Sequence, residues 1–175
     1  FFFHQAAEIG LNPSQFLTFI IRVSLQERLS EHPDRAAYKT LLDLLDLNIT
    51  DLQSATAKQR HIAVILGGYS FERHISVESG RNVYEKLSSS DKYDPMPVFL
   101  TGEDYNYQMY RIPINLLLKD NADDIRDKIL HFKKHPLIEY IKAQCFEITQ
   151  KYGSRDVIFE PRLMTFEDLQ RNVDG

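Results

Sequence analysis

The sequence contains 175 residues, of which 43% are hydrophobic and 26% are charged, a globular composition that excludes disorder along the whole chain. At about 100 to 200 residues per domain, this length predicts one compact domain with a small helical addition. The net charge of −4 disfavours nucleic acid and anionic membrane surfaces as partners, because both attract basic proteins.

Cys145 is the only cysteine, which excludes an intrachain disulfide and makes a reducing compartment, the cytoplasm, the expected location. The longest apolar stretch, Phe16 to Val23, is far shorter than the roughly 20 residues that span a bilayer, so we expect no membrane segment. The opening residues FFFHQ do not resemble a signal peptide. We therefore expect the chain to begin inside a longer protein.

Residues 1–47 predict a pair of helices. Pro13 suits a first helical position, and a helix is predicted from about residue 13 to 30. Its apolar residues follow the spacing i, i+3, i+4 and i+7: Phe16, Phe19, Ile20 and Val23. We expect His32-Pro33 to end it, because a residue before proline avoids the α conformation. A second helix is predicted to end near Leu47, and the polar stretch 48–60 is predicted to be an exposed linker.

An α/β unit is predicted after the linker. The continuous apolar run 62–66 is typical of a strand buried on both faces, as in a parallel sheet. A helix over 76–87 follows, with Val77, Val83 and Leu87 on its apolar face, and then a strand over 96–100. This order predicts two parallel strands. Pro95 and Pro97 cannot donate ladder hydrogen bonds, so we expect that strand to start at a sheet edge or an irregular position.

The pattern weakens beyond residue 102. Helices are predicted over 121–132, capped by Asn121, and over 136–152, ended by Gly153. A short strand is predicted over 157–159, and Thr165 is predicted to start a further helix. The residues expected to face the core are Ile125, Ile129, Phe132, Ile138, Ile141, Cys145 and Ile148.

The segment 67–80, GGYSFERHISVESG, joins the first strand to its helix. Gly67 and Gly68 let the backbone pass close to a ligand, and ligands of open α/β sheets bind at this end of the strands. Neither the Walker A lysine nor the GxGxxG spacing is present, so neither standard phosphate-binding loop is supported. Glu72 could bind an ammonium group, or it could only complement the positive end of the helix.

The run 61–87, HIAVILGGYSFERHISVESGRNVYEKL, resembles the opening strand, loop and helix of D-alanine:D-alanine ligases, whose pattern is GG-x-S-x-E-x-x-[VI]-S. The matching positions are Gly67, Gly68, Ser70, Glu72, Ile75, Ser76 and Ser79. The resemblance implies that Glu72 holds the ammonium of the first D-alanine and that Ser70 and Ser76 support the loop. It implies an α/β fold, a Rossmann-like pre-ATP-grasp domain with a parallel sheet over 61–175, and it is clear over 61–102.

Residues 5–22 are more loosely similar to the final helix of the same ligases. A segment like the C-terminal helix of these ligases thus precedes a segment like their N-terminal domain. This inverted order predicts a tandem fusion, in which 1–47 ends one ligase unit and 48–60 joins it to the next. The family's HGxxGEDG segment and its ATP-grasp residues are absent from these 175 residues. The resemblance therefore implies that ATP and magnesium bind to the remainder of the parent ligase, with no catalytic or metal-binding residue here. The resemblance implies D-alanine and the rest of the parent chain as partners. It also allows a homodimer.

Two other functions stay open at this point: a related ATP-grasp ligase for other amino or hydroxy acids, and a non-catalytic α/β interaction module. The spacing of His131 and His135 could place two imidazoles on one helix face, but Pro136 disfavours a zinc site. Three alternating tyrosines are expected to clamp a loop rather than to stack bases: Tyr105, Tyr107 and Tyr110. Four aspartates are expected to form a solvated helix face: Asp120, Asp123, Asp124 and Asp127.

Overall fold

The computed structural model describes residues 2–31, 35–55, 59–103, 105–154 and 156–174. The elements in chain order are α1 (Phe2–Glu8), α2 (Pro13–Glu31), α3 (Arg35–Ala55), β1 (Arg60–Gly67), α4 (Arg73–Ser88), β2 (Tyr93–Glu103), β3 (Asn106–Arg111), α5 (Ile114–Lys119), α6 (Ala122–Leu130), α7 (Pro136–Gln144), α8 (Phe146–Tyr152), β4 (Arg162–Met164) and α9 (Phe166–Asn172). Within these ranges, no helix combines the length and the apolar character needed to cross a membrane.

The α/β fold is confirmed, but the sheet is mixed rather than parallel. Its order is β1-β2-β3-β4, with β1 and β2 parallel as predicted and the other two pairs antiparallel. Glu103 pairs with Asn106, so the chain reverses in a turn too short for a crossover, which makes β2 and β3 antiparallel. Tyr107 and Tyr110 lie in β3, so the prediction that they clamp a loop is wrong.

One face of β1 is fully buried and the other is buried only in part. Val64 and Leu66 belong to the main core with residues of α4, α5 and α6, whereas Ile65 on the opposite face is 53% exposed. The prediction of burial on both faces is therefore wrong. The second core, which includes Val98 and Leu169, lies on the other face of the sheet, where Ala63 packs against it and Ile65 does not.

Pro95 and Pro97 lie where β2 has only one neighbour, as predicted. Both pair with β1, while pairing with β3 begins at Val98. The carbonyl of Pro97 accepts a hydrogen bond from the N–H of Ile112, so the backbone of Pro97 faces away from β1. The β1–β2 ladder therefore does not require a hydrogen bond from the nitrogen of Pro97, which carries no hydrogen.

Helix α4 begins at Arg73, earlier than predicted, and two of its three predicted apolar positions, Val77 and Leu87, contact the main core. Val77 is buried as expected, but Val83 is 48% exposed, and Tyr84 is buried in its place. Val77, Gly80 and Tyr84 follow the spacing i, i+3, i+7, which places them on one side of the helix, and Val83 lies beside that side.

The predicted linker is helical over 48–55, because α3 continues to Ala55. Leu45 and Ile49 are spaced i, i+4 and pack in a third core with Tyr152 of α8, where Ile49 is 5% exposed. This core joins the first three helices to the α/β part. The remaining linker residues 56–58, and the predicted helix stop at His32-Pro33, lie outside the described residues.

Several predictions for the second half need correction. The helix predicted over 136–152 is two helices, α7 and α8, because Cys145 has φ −94° and ψ 8° and departs from helical geometry. Helix α7 has no buried residue, Ile141 and Phe132 are each 38% exposed, and Cys145 is half-buried rather than a core thiol. Residues 157–159 form no strand, and β4 lies further along the chain.

The predicted helix starts at Asn121 and Thr165 are confirmed. The Asn121 side chain accepts hydrogen bonds from two backbone N–H groups of α6, and Thr165 forms a reciprocal capping box with Asp168. The expected solvated aspartate face is wrong for Asp120, which is 6% exposed. Its carboxylate binds the Lys128 ammonium at 2.7 Å, which compensates the burial of the charge.

Asp46 links the helical segment to α8. Its carboxylate accepts hydrogen bonds from Arg22 Nε of α2 at 2.7 Å and from Lys151 Nζ of α8 at 3.0 Å. The Arg22 hydrogen bond is the main reason why the pKa of Asp46 falls from its ordinary 3.8 to about 2, and Lys151 adds to this effect.

We expect Asp46→Asn to destabilise the chain at neutral pH by about 1 kcal/mol or less, since the group is partly exposed. A carboxylate with a lowered pKa stabilises the fold above pH 3.8, and this contribution disappears as the pH falls towards 2. Urea unfolding at several pH values measures both effects. Between pH 3.8 and pH 2, the free energy of unfolding should fall less for the variant than for the original 175-residue sequence. An identical pH dependence would contradict the assignment.

Candidate functional site

The loop after β1 depends on glycine. Gly67 and Gly68 have φ values of +91° and +111°, a region that side-chain-bearing residues rarely adopt. A Cβ on Gly67 would lie 2.7 Å from the Phe99 ring and 2.8 Å from the Leu100 carbonyl oxygen. The turn therefore lies directly against β2.

Backbone and hydroxyl groups hold this loop. The Gly68 N–H donates to the Leu100 carbonyl oxygen at 2.7 Å. The Gly67 N–H donates to Ser76 Oγ at 3.1 Å, and the Glu72 N–H donates to Ser70 Oγ at 3.2 Å. Both serine hydroxyls thus accept from backbone groups of the loop.

Glu72 is the N-cap residue of α4, but its side chain makes no capping hydrogen bond. The side chain is exposed, and its carboxylate has no ion-pair or hydrogen-bond partner among the residues the structure describes. It lies at the carboxyl end of β1, where open α/β sheets bind ligands. A charge in this position can bind a cation without first breaking another contact.

Arg73 fastens the loop to α6. Its Nε lies 2.8 Å from Asp123 Oδ1, its Nη2 lies 3.2 Å from Oδ2, and its Nη1 donates to the Ser70 carbonyl oxygen at 3.1 Å. His74 Nε2 is 3.3 Å from the same carboxylate. The Arg73 hydrogen bonds lower the pKa of Asp123. The sequence did not indicate this contact, because its partners are 50 positions apart.

A pocket of about 400 Å³ lies beside the loop. Thr101, Glu103 and Arg126 line it, whereas Glu72 does not. None of these three residues was predicted from the sequence to belong to a site. The parallel pairing of β1 and β2 was the available signal, because it brings the carboxyl ends of both strands to the same edge of the sheet.

Residues 61–160 match the family model described as D-ala D-ala ligase N-terminus, which is more than half of the 175 residues. The chain belongs to the D-ala D-ala ligase N-terminal family. The match runs from β1 past α8 and so extends well beyond residue 102, while α1, α2 and α3 lie outside it. Comparisons with curated proteins and with solved structures give no match.

The side chains present do not fit a metal site. Across the described part of the chain, no three His, Cys, Asp or Glu side chains are grouped to hold an ion. His131 contacts Asp127 at 3.0 Å, and His135 accepts a hydrogen bond from the Leu137 N–H at the start of α7. No chemical step through magnesium is therefore assigned to these residues.

Proposed function

We propose that the chain is the substrate-binding N-terminal part of an ATP-dependent D-alanine:D-alanine ligase of peptidoglycan precursor synthesis. In this role Glu72 holds the ammonium of the first D-alanine. The observation that carries the proposal is the exposed Glu72 carboxylate at the end of β1, inside the range that matches the family. The family match supports a ligase origin.

The chain's own part in the reaction is to bind and orient. A carboxylate and an ammonium form a charge-assisted hydrogen bond, which fixes one end of the amino acid while its carboxyl group reacts. Ser70, Ser76 and Arg73 keep the loop in place through the contacts above. We propose that ATP and magnesium bind to the remainder of the parent ligase, in the cytoplasm.

The proposed identity of the substrate is tested with the full-length parent protein. We expect phosphate release from ATP to require D-alanine, and a dipeptide to appear with the same stoichiometry. A related ligase for other amino or hydroxy acids would instead show its highest kcat/KM with a different second substrate. Turnover that does not require an amino acid in the first position would contradict the assignment to Glu72.

A non-catalytic binding role is the second candidate, and the loop itself carries the observation that favours it. Phe71 is 98% exposed, Ile75 is 66% exposed and Tyr69 is 54% exposed. Grouped exposed apolar residues mark interaction surfaces. A parent protein without amino-acid-dependent phosphate release would favour this candidate.

We expect the 175-residue chain alone to release no phosphate from ATP and to form no dipeptide. The reason is that the nucleotide-binding and magnesium-binding residues implied by the family are not in this sequence. A phosphate-release assay on the purified chain, with D-alanine present, measures this. Release above a blank, retained after repeated purification, would contradict the expectation.

A further inference from the structure

A larger pocket, of about 540 Å³, lies at the opposite edge of the sheet from the loop after β1. The first residues of β1 and β2 and the end of α4 line one part of this amino-edge pocket, and α2, α3 and α8 line the rest. Helices α2 and α3 lie outside the family match, so the cavity is formed jointly by matched and unmatched parts of the chain. Its size is that of a small-molecule site, for which about 300 to 1,000 Å³ is usual.

The Tyr84 hydroxyl reaches the amino-edge pocket without a partner. Tyr84 is 8% exposed, and its hydroxyl makes no hydrogen bond to any residue the structure describes. Over the same residues, no side-chain polar atom is both fully enclosed and unpartnered, so this oxygen must open onto the cavities that Tyr84 lines. Burial, and to a lesser extent the nearby Asp94 carboxylate, raises the pKa of the hydroxyl, which therefore keeps its proton. A buried hydroxyl that meets only a cavity is a site for a ligand hydrogen bond.

Asp94 lines the same pocket with a charge that is only partly compensated. Its Oδ2 lies 3.2 Å from His61 Nδ1, while its Oδ1 has no hydrogen-bond partner among the described residues. Burial raises the pKa of Asp94, and His61 offsets this effect only in part. Arg111 lines a smaller adjoining cavity and donates to the Asp156 carbonyl oxygen at 2.6 Å. A cation bound in the pocket would therefore stabilise the Asp94 carboxylate.

The charges that line the amino-edge pocket are mainly negative. Asp91, Asp94 and Asp156 line it, and none of them forms an ion pair with a lysine or arginine that the structure describes. Lys151 also lines it, but this ammonium binds Asp46, which is not part of the described lining. Asp156 is close enough to Asp94 to raise its pKa, whereas Asp91 does not contribute. The excess negative charge therefore lies at two separate positions.

We propose that the amino-edge pocket binds a small organic cation with two ammonium groups. One ammonium donates to Asp94 Oδ1 and to the Tyr84 hydroxyl oxygen, and charge-assisted hydrogen bonds of this kind are stronger than neutral ones. The other ammonium binds the Asp91 carboxylate. The alkyl chain between them lies in the part of the cavity that Ile49 lines. The proposal does not rest on Glu72, which lies at the other edge of the sheet.

The test is an NMR titration of the ¹⁵N-labelled full chain with putrescine, a four-carbon diamine, at physiological ionic strength. We expect saturable shifts of the Ser90, Tyr93 and Asp94 amides. Butylamine has the same chain with a single ammonium group, and butanediol has the same length without charge. Each should bind about tenfold more weakly or worse, because each loses at least one hydrogen bond between charged groups. Equal affinity for butylamine or butanediol, or no saturable shift with putrescine, overturns the proposal.

Substitutions that preserve side-chain shape assign the contacts. Tyr84→Phe and Asp94→Asn should each weaken putrescine binding about tenfold or more, because each removes a hydrogen bond to a charged group. Asp91→Asn should make putrescine bind no better than butylamine. Asp127→Asn removes an exposed carboxylate of α6 outside the pocket lining, so this matched control should bind like the original sequence. Unchanged binding by Tyr84→Phe or Asp94→Asn, or an equal loss in the control, overturns the assignment.

Glu72→Gln separates this site from the proposed function. Glu72 is not among the residues that line the amino-edge pocket, so the substitution should leave putrescine binding unchanged. A loss of putrescine binding in Glu72→Gln together with normal binding in Asp94→Asn would place the diamine at the loop after β1 and overturn the amino-edge site. Turnover of D-alanine by the parent protein tests Glu72 independently of this result.

Discussion

Glu72→Gln in the full-length parent protein should lower kcat/KM for the first D-alanine by roughly 30-fold to several thousand-fold. Glu72 is exposed in this chain, so the full effect requires bound D-alanine and the rest of the parent protein to enclose it; removing one partner of a buried, hydrogen-bonded charge pair costs about 2 to 5 kcal/mol, and each 1.4 kcal/mol is a factor of ten. The Glu72 carboxylate has no described protein partner, so the loss would come from the substrate contact and not from the loop.

The alternative is that Glu72 only complements the positive end of α4. That effect is about 1 kcal/mol or less and would appear as a lower Tm with less than a tenfold change in kcat/KM. Glu78→Gln is the matched control, because Glu78 is an exposed glutamate of the same helix. Kinetics at saturating ATP, with the two D-alanine sites fitted separately, distinguish the outcomes. A first-site kcat/KM equal to that of the control would remove Glu72 from the site.

Phe99→Ala should destabilise the chain by about 3 to 5 kcal/mol, which is a large part of the ~5 to 15 kcal/mol that stabilises a typical domain. Phe99 is 1% exposed in the main core, and its ring packs against Gly67. Truncation removes buried apolar surface and leaves a cavity between β2 and the loop.

Urea unfolding followed by circular dichroism measures this loss. Phe71→Ala is the control, because Phe71 is 98% exposed and a surface substitution usually changes stability by less than about 0.5 kcal/mol. A loss below about 1 kcal/mol for Phe99→Ala would show that the core around β2 is not packed as described.

The sequence predicted the elements whose signals are local. The apolar run of β1, the turn glycines and the caps at Asn121 and Thr165 each depend on neighbouring residues, and the structure contains them. The parallel pairing of β1 and β2 also followed, because the chain between them is long enough for a crossover helix.

Features that depend on distant residues were missed. The stretch 48–55 looked like a linker because its small polar residues obscure the apolar position Ile49, which packs in one core with Tyr152. Strand β3 was missed because tyrosines and polar residues alternate there without an aliphatic run. In the candidate site, the loop and Glu72 follow from a motif, whereas the pocket residues Thr101 and Arg126 meet only after the chain has folded.

The outer edge of β1 bears on the chain's behaviour at high concentration. Arg60 and Gly68 donate to the β2 side, so by alternation the backbone groups of residues 61, 63, 65 and 67 point to the other edge. There the His61 N–H donates to Asp174 Oδ2 and the His61 carbonyl oxygen accepts from the Asp174 N–H, while the Gly67 N–H donates to Ser76 Oγ. Among the residues that the structure describes, the backbone groups of Ala63 and Ile65 have no such partner on this edge. Ordinary strands have roughly 3 to 10 residues, so the open stretch is too short to template a strand from another molecule. Self-association into extended sheets along this edge would first have to displace Asp174.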